Sequence, residues 1–193
     1  MSAAFADRAE LARRLGRLRM RGIVVGWGTL LVGLHGFGWV DRQVSAANAI
    51  AVALDTLEQN PDDDLVLALA CLRESETEEV VGALERLAER EGADYELERR
   101  KWRLLLLEER IEALPADPLH GLLDLDEFWG VLGYPEDGPH TVQTRSGIPP
   151  EDYYTQDNYE AEFTRHGRWM EQEARLLRQA DAVDAGAELP DVS

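Results

Sequence analysis

The side chains of this chain that could do chemistry are concentrated in one proline-rich segment, 134–156. Glu136, Asp137 and His140 lie close together there, and the segment holds four of the eight prolines. A carboxylate beside a histidine can orient the imidazole as a general base. Short polar side chains among prolines are also typical of turns without any catalytic role. The segment therefore leaves two hypotheses open, a small hydrolase that uses Asp137 and His140, or a non-catalytic surface loop.

Other signatures of catalysis or metal binding are absent from the sequence. The four histidines do not recur at metal-ligand spacings, and one cysteine cannot form an internal disulfide or a cysteine-rich metal site. No glycine-rich phosphate loop or nucleophile elbow is present. We therefore expect a protein that is not an enzyme and that has no cofactor and no bound metal.

The formal charge points to a binding function. The chain of 193 residues carries a net charge of −18, which is unevenly distributed. Residues 1–21 contain six arginines and two acidic residues, whereas the remainder contains 14 basic and 36 acidic residues. Such a body repels nucleic acids, whose binding depends on neutralising phosphates, and attracts basic proteins. The charge predicts a basic protein partner and no nucleic-acid partner, although acidity can also serve solubility alone.

A candidate partner surface combines acidic and aromatic side chains around the 134–156 segment. Aromatic side chains often contribute most of the binding energy at protein interfaces, while charges at the rim mainly affect the association rate. The predicted carboxylates are Asp124, Asp126, Glu127, Glu136 and Asp137, and the predicted aromatic anchors are Tyr153 and Tyr154.

The elements that must position these residues are helices. Apolar residues recur at helical spacing along most of the chain, and no sustained strand alternation is present. We predict an all-α fold, a single helical domain at 22–180 with about six or seven helices and one long proline-rich loop. The segment 1–21 is predicted to be a basic leader, a helix that can fray, before this domain. The segment 181–193 is predicted to be a disordered acidic tail after it. Predicted helix starts include Asp41 and Ser75. The segment after Pro118 is predicted to form either one helix or two short helices broken near Asp124.

The uncharged stretch Gly22–Val40 allows two interpretations. Its basic leader and apolar residues resemble a signal-anchor. Six glycines within it weaken any continuous helix, and an amphipathic helix begins directly after it. These glycines and the new helix start favour a cytoplasmic domain without a membrane span. A signal-anchor is the alternative.

Short motifs in the chain resemble a bacterial domain-of-unknown-function family, number twenty-two forty-seven. These motifs are Trp27 with the pair Gly33-Leu34, the run Lys101-Trp102-Arg103, and the turn Tyr134-Pro135-Glu136-Asp137. The resemblance covers about 27 to 177, and its members look like immunity proteins of polymorphic toxin systems. The resemblance implies an immunity role, and together with the acidic charge it predicts a protein that binds and neutralises a cognate, basic bacterial toxin domain. A helical adaptor or scaffold protein and the small hydrolase are the alternatives.

Overall fold

The computed structural model describes residues 8–141 and 148–186, with side chains as far as residue 182. Within these residues the chain is helical and contains no extended strand, so the predicted all-α fold is confirmed there. The helices, in chain order, are α1 (Arg8–Met20), α2 (Trp27–His35), α3 (Ala46–Gln59), α4 (Asp64–Ala70), α5 (Thr77–Arg90), α6 (Tyr95–Glu112), α7 (Pro118–Val131), α8 (Pro150–Tyr153) and α9 (Gln156–Gly186).

The predicted count of six or seven helices is wrong, because the described residues form nine. Three of them are short, α2 with nine residues, α4 with seven and α8 with four. The long proline-rich loop is also interrupted, since α8 begins at Pro150 within the predicted loop. Proline fixes a helical φ and lacks an N–H that the first turn would leave unpaired, so it starts a helix readily. Residues 142–147 of this loop lie outside the described residues.

The helices belong to two compact units. The first comprises Met1–Phe37 and Asp41–Trp102, and the second comprises Gly38–Val40 and Arg103–Ser193. The division falls within α6, so the Lys101-Trp102-Arg103 motif contributes side chains to both units.

In the first unit, α1 is part of the core. Leu11, Leu15 and Leu18 are almost fully buried and recur at the spacing that places side chains on one side of a helix. In the same unit α2 packs against α5, and α3 packs against α1, α4 and α5. Arg8, Arg13 and Arg19 are exposed on α1, whereas Arg14 is buried and donates to the side chain of Gln43.

The uncharged stretch Gly22–Val40 forms a single short helix, α2, between glycine-containing segments. Gly26 precedes α2, and Gly36 ends it with a φ of 73°, a left-handed conformation that glycine adopts without strain. Within residues 8–141 and 148–186, no helix combines the length and the apolar character needed to cross a membrane.

Two predicted helix starts are wrong. Ser45, rather than Asp41, caps α3, and its hydroxyl accepts from the Asn48 N–H at 3.1 Å. Ser75 does not cap α5, which begins at Thr77, because the residues before it form a turn of their own. Of the two forms predicted for the segment around Asp124, the single helix is confirmed, since α7 runs from Pro118 to Val131 without a break.

In the second unit, α7 packs against α9. Asp117 caps α7 by accepting from the His120 N–H at 3.0 Å, and Pro118 occupies the first helical position. Leu122, Leu125 and Trp129 are buried on the side of α7 that faces the core. Residues 181–186 of the predicted disordered tail belong to α9, and residues 187–193 lie outside the described residues.

Candidate functional site

Two of the predicted carboxylates are already paired with arginines inside the second unit. Asp124 accepts from the Arg110 guanidinium, with 2.7 Å between Oδ1 and Nη1. Both carboxylate oxygens of Asp137 accept from the Arg103 guanidinium, with 2.8 Å between Oδ1 and Nη1. The charge of each of these two carboxylates is offset by an arginine of the same unit, so less of it is available to a partner.

The other three predicted carboxylates have no cationic partner among residues 8–141 and 148–186. Asp126 accepts from the Tyr134 hydroxyl at 3.1 Å, which leaves its negative charge uncompensated. The side chains of Glu127 and Glu136 are exposed. Asp126, Glu127 and Glu136, here called the acidic triad, are therefore the sequence-predicted residues most available for attracting a basic group.

The predicted aromatic anchors differ in exposure. Tyr153 is only 3% exposed, and its hydroxyl donates to the carbonyl of Thr141 at 2.6 Å. Burial raises the pKa of its hydroxyl group. Tyr154 is half-buried and packs edge-on against Tyr153, with 5.0 Å between ring centroids. The structure thus gives Tyr153 a core position instead of the exposed position that an interface anchor needs.

Arg103 organises the turn that follows α7. Its guanidinium lies over the Trp169 ring, 5.1 Å from the centroid, and Nη2 lies 3.3 Å from Oε1 of Glu173. The indole N–H of Trp169 donates to the carbonyl of Asp137 at 2.6 Å. Arg103 and Glu173 are buried, so their charges are screened little by water. The result is a turn fixed to both α6 and α9.

A second buried polar group lies on α9. The indole N–H of Trp129 donates to Nε2 of His166 at 2.8 Å, and Nδ1 of His166 lies 2.7 Å from the carbonyl oxygen of Glu162. Burial lowers the pKa of His166 to about 4, and burial raises the pKa of Glu162. The imidazole is therefore neutral, with its proton on Nδ1 and both nitrogens in hydrogen bonds. Such a histidine stabilises the fold and has no nitrogen left to accept a substrate proton.

The two residues of the hydrolase hypothesis have different surroundings. Asp137 is engaged with Arg103, as described above. The His140 ring packs against aromatic rings, with its centroid 5.3 Å from that of Trp129 and 5.2 Å from that of Tyr134. The carboxylate oxygens that would orient a general base are occupied by a guanidinium instead.

The other motif residues, Gly33, Lys101 and Trp102, pack inside the first unit. The indole N–H of Trp102 donates to the carbonyl of Thr29 at 2.7 Å. A Cβ on Gly33 would lie 2.5 Å from Cζ2 of Trp102, so only glycine allows this approach. The buried Lys101 ammonium lies 2.8 Å from the Glu98 carboxylate. These motif residues account for packing within the first unit.

An exposed aromatic residue is missing from the sequence-predicted set. Trp39 is 81% exposed, and its backbone N–H donates to the carbonyl of Val131 at the end of α7, at 3.3 Å. The sequence signal that could have found it is its position directly after Gly38, outside every helical apolar stripe.

Within the part of the chain that the structure describes, no cluster of three or more His, Cys, Asp or Glu side chains could hold a metal ion. Comparisons with curated proteins and with solved structures gave no significant match. The sequence model of one bacterial family matches residues 16–174, which include all three motifs named above. The chain therefore belongs to the family described as "Uncharacterized protein conserved in bacteria (DUF2247)".

Proposed function

We propose that this protein is a non-enzymatic binding protein of the bacterial cytoplasm, an immunity protein that binds and neutralises a basic toxin domain. The observation that carries the proposal is the acidic triad, in which three carboxylates of α7 and the following turn lack a cationic partner within the described residues. Uncompensated carboxylates on a folded surface attract a cationic protein and speed its association.

The rest of the chain increases this attraction. The net charge of −18 creates a negative field around the molecule. A toxin that acts on nucleic acid must carry a cationic groove for the phosphates of its substrate. An anionic folded protein can occupy that groove and exclude the substrate. A basic nuclease domain is therefore the partner whose chemistry fits best.

The test is co-expression with a toxin encoded beside this gene, using wild type and the triad variant Asp126→Lys/Glu127→Lys/Glu136→Lys. A matched control is Glu58→Lys/Glu85→Lys/Glu89→Lys, which makes the same charge change at exposed positions of α3 and α5. We expect wild type and the control to protect the cells and the triad variant to lose protection. The purified triad variant should associate with the toxin at least about tenfold more slowly at low salt.

Two results would contradict the proposal at different levels. If the folded triad variant protects as well as wild type, the acidic triad is not the binding surface. If wild type neither binds nor protects, the immunity function itself is wrong.

A helical adaptor is the second candidate, and the exposed apolar residues of α7 favour it. Binding by an adaptor through apolar contacts should persist at high salt, whereas association with a basic toxin should slow as salt screens the charges. Measuring the association rate over a range of NaCl concentrations separates the two.

A further inference from the structure

The outer side of α7 carries an exposed apolar stripe. Leu119, Leu123 and Val131 are 43%, 44% and 36% exposed, respectively. They are spaced by four and eight residues, with the exposed Glu127 in the interval, and residues four apart lie on the same side of a helix. The opposite side of α7 is buried against the core, so the stripe is not needed for packing of the second unit.

Trp39 lies at the C-terminal end of this stripe. Its backbone is fixed there by the hydrogen bond to the carbonyl of Val131, a group that the end of a helix leaves without an intrahelical partner. Gly38 has a φ of +57°, which allows the chain to turn at this point. The backbone is therefore anchored while the indole remains 81% exposed. A large aromatic side chain held in this way is typical of an interface anchor.

The charges around the stripe determine which partner fits it. Between residues 117 and 137 the chain has six carboxylates and no lysine or arginine. Two of the six, Asp124 and Asp137, are paired with arginines of α6, which leaves four without an arginine partner in the described residues. The acidic triad belongs to this segment, and Glu127 lies within the stripe itself. A second copy of this chain would bring two such acidic faces together, which costs free energy. A basic partner would gain from the same arrangement.

We propose that the α7 face, defined as Trp39, Leu119, Leu123, Glu127 and Val131, binds a basic amphipathic helix of the partner protein. Apolar residues of that helix pack on Trp39 and Leu123, and flanking lysines or arginines meet Glu127 and the other triad carboxylates. This mode is the packing of an amphipathic helix on an apolar surface with a charged rim. The proposal rests on the proposed function for the basic nature of the partner, and it adds the surface and the form of the bound element.

The test uses a synthetic helical peptide as long as α7, with leucines along one side and lysines elsewhere, and a scrambled peptide of the same composition. Binding of both peptides is measured by fluorescence anisotropy with the full chain. The test variant is Trp39→Ala/Leu123→Ala. The matched control is Met20→Ala/Leu54→Ala, because Met20 is 82% exposed and Leu54 49% exposed. Circular dichroism checks that both variants retain the helical fold.

We expect wild type to bind the amphipathic peptide at least about tenfold more tightly than the scrambled one. The Trp39→Ala/Leu123→Ala variant should lose that preference, and the control should keep it. Equal binding of the two peptides by wild type, or an unchanged preference in the test variant, overturns the α7 face as the docking site. Neither result affects the proposed function, which is tested separately by toxin neutralisation. A dimer of wild type that dissociates on Trp39→Ala/Leu123→Ala would show that a second copy occupies the face, and it would also overturn the proposal.

Discussion

At the scale of single residues, His166 couples the stability of the second unit to pH. Its hydrogen bonds with Trp129 and with the Glu162 carbonyl are made by the neutral ring, and burial lowers its pKa to about 4. Arg165 and His140 lower the pKa further through their charge. In the unfolded chain a histidine has a pKa of about 6.5. Between about pH 6.5 and about pH 4 the unfolded state binds more protons at His166 than the folded state does. The contribution of His166 to stability is therefore present above about pH 6.5 and is lost as the pH falls toward about 4.

We therefore expect wild type to lose about 2 kcal/mol of unfolding free energy relative to His166→Gln between about pH 7 and about pH 5. Glutamine does not titrate, and its amide oxygen can accept from the indole N–H of Trp129. Urea denaturation of both proteins at each pH gives the difference, in which the titration of the carboxylates common to both largely cancels. A difference that stays constant over this range would contradict a neutral, buried His166.

At the scale of elements, the position of α2 depends on the absence of a side chain at Gly33. A Cβ at this position would lie 2.5 Å from Cζ2 of Trp102 and 2.6 Å from Cγ2 of Val44. The backbone carbonyl of Gly33 also accepts from the N–H groups of Gln43 and Val44, at 2.7 and 3.1 Å. One glycine thus lets α2 approach α6 and the segment before α3 together.

Gly33→Ala should destabilise the protein by about 1–3 kcal/mol, because the packed indole cannot move aside without disturbing its own hydrogen bond. The control is Gly82→Ala on α5, where the added Cβ would lie 3.7 Å from Nη1 of Arg86, an ordinary contact. This control should be neutral or stabilising by up to about 1 kcal/mol, since alanine favours helix. Urea midpoints of the two variants provide the comparison, and equal destabilisation would argue against a specific close approach at Gly33.

At the scale of the whole molecule, the excess of negative charge opposes folding through self-repulsion. Salt screens such repulsion, and the Debye length falls to about 10 Å at about 0.1 M. We expect the melting temperature of wild type to rise as NaCl is increased from about 0.02 to about 0.2 M. The two triple lysine variants described above should show smaller and similar rises, because repulsion depends on total charge. A melting temperature that falls with salt would show that surface ion pairs outweigh the repulsion.

Part of this protein could be predicted from the sequence, because the signals involved are local. The recurrence of apolar residues at helical spacing is read along a few turns of a single helix, and it predicted the all-α fold that the described residues have. The short motifs that identify the family are contiguous in the sequence, and the acidic charge is a sum over residue types. The fold class, the family and the sign of the charge needed no knowledge of the path of the chain. The immunity function remains a prediction.

The tertiary structure alone decided which residues of the candidate surface are available. Asp137 is paired because Arg103, 34 positions earlier in the chain, reaches it from α6. Tyr153 is buried because its ring fits inside the second unit and its hydroxyl finds the Thr141 carbonyl. Trp39 lies beside the end of α7 because its backbone N–H donates to the carbonyl of Val131, 92 positions later, and its side chain is exposed there. Each outcome depends on contacts between residues that are distant in sequence. Composition and periodicity do not contain these contacts, because a tyrosine or an aspartate has the same neighbours in sequence whether or not a distant residue contacts it.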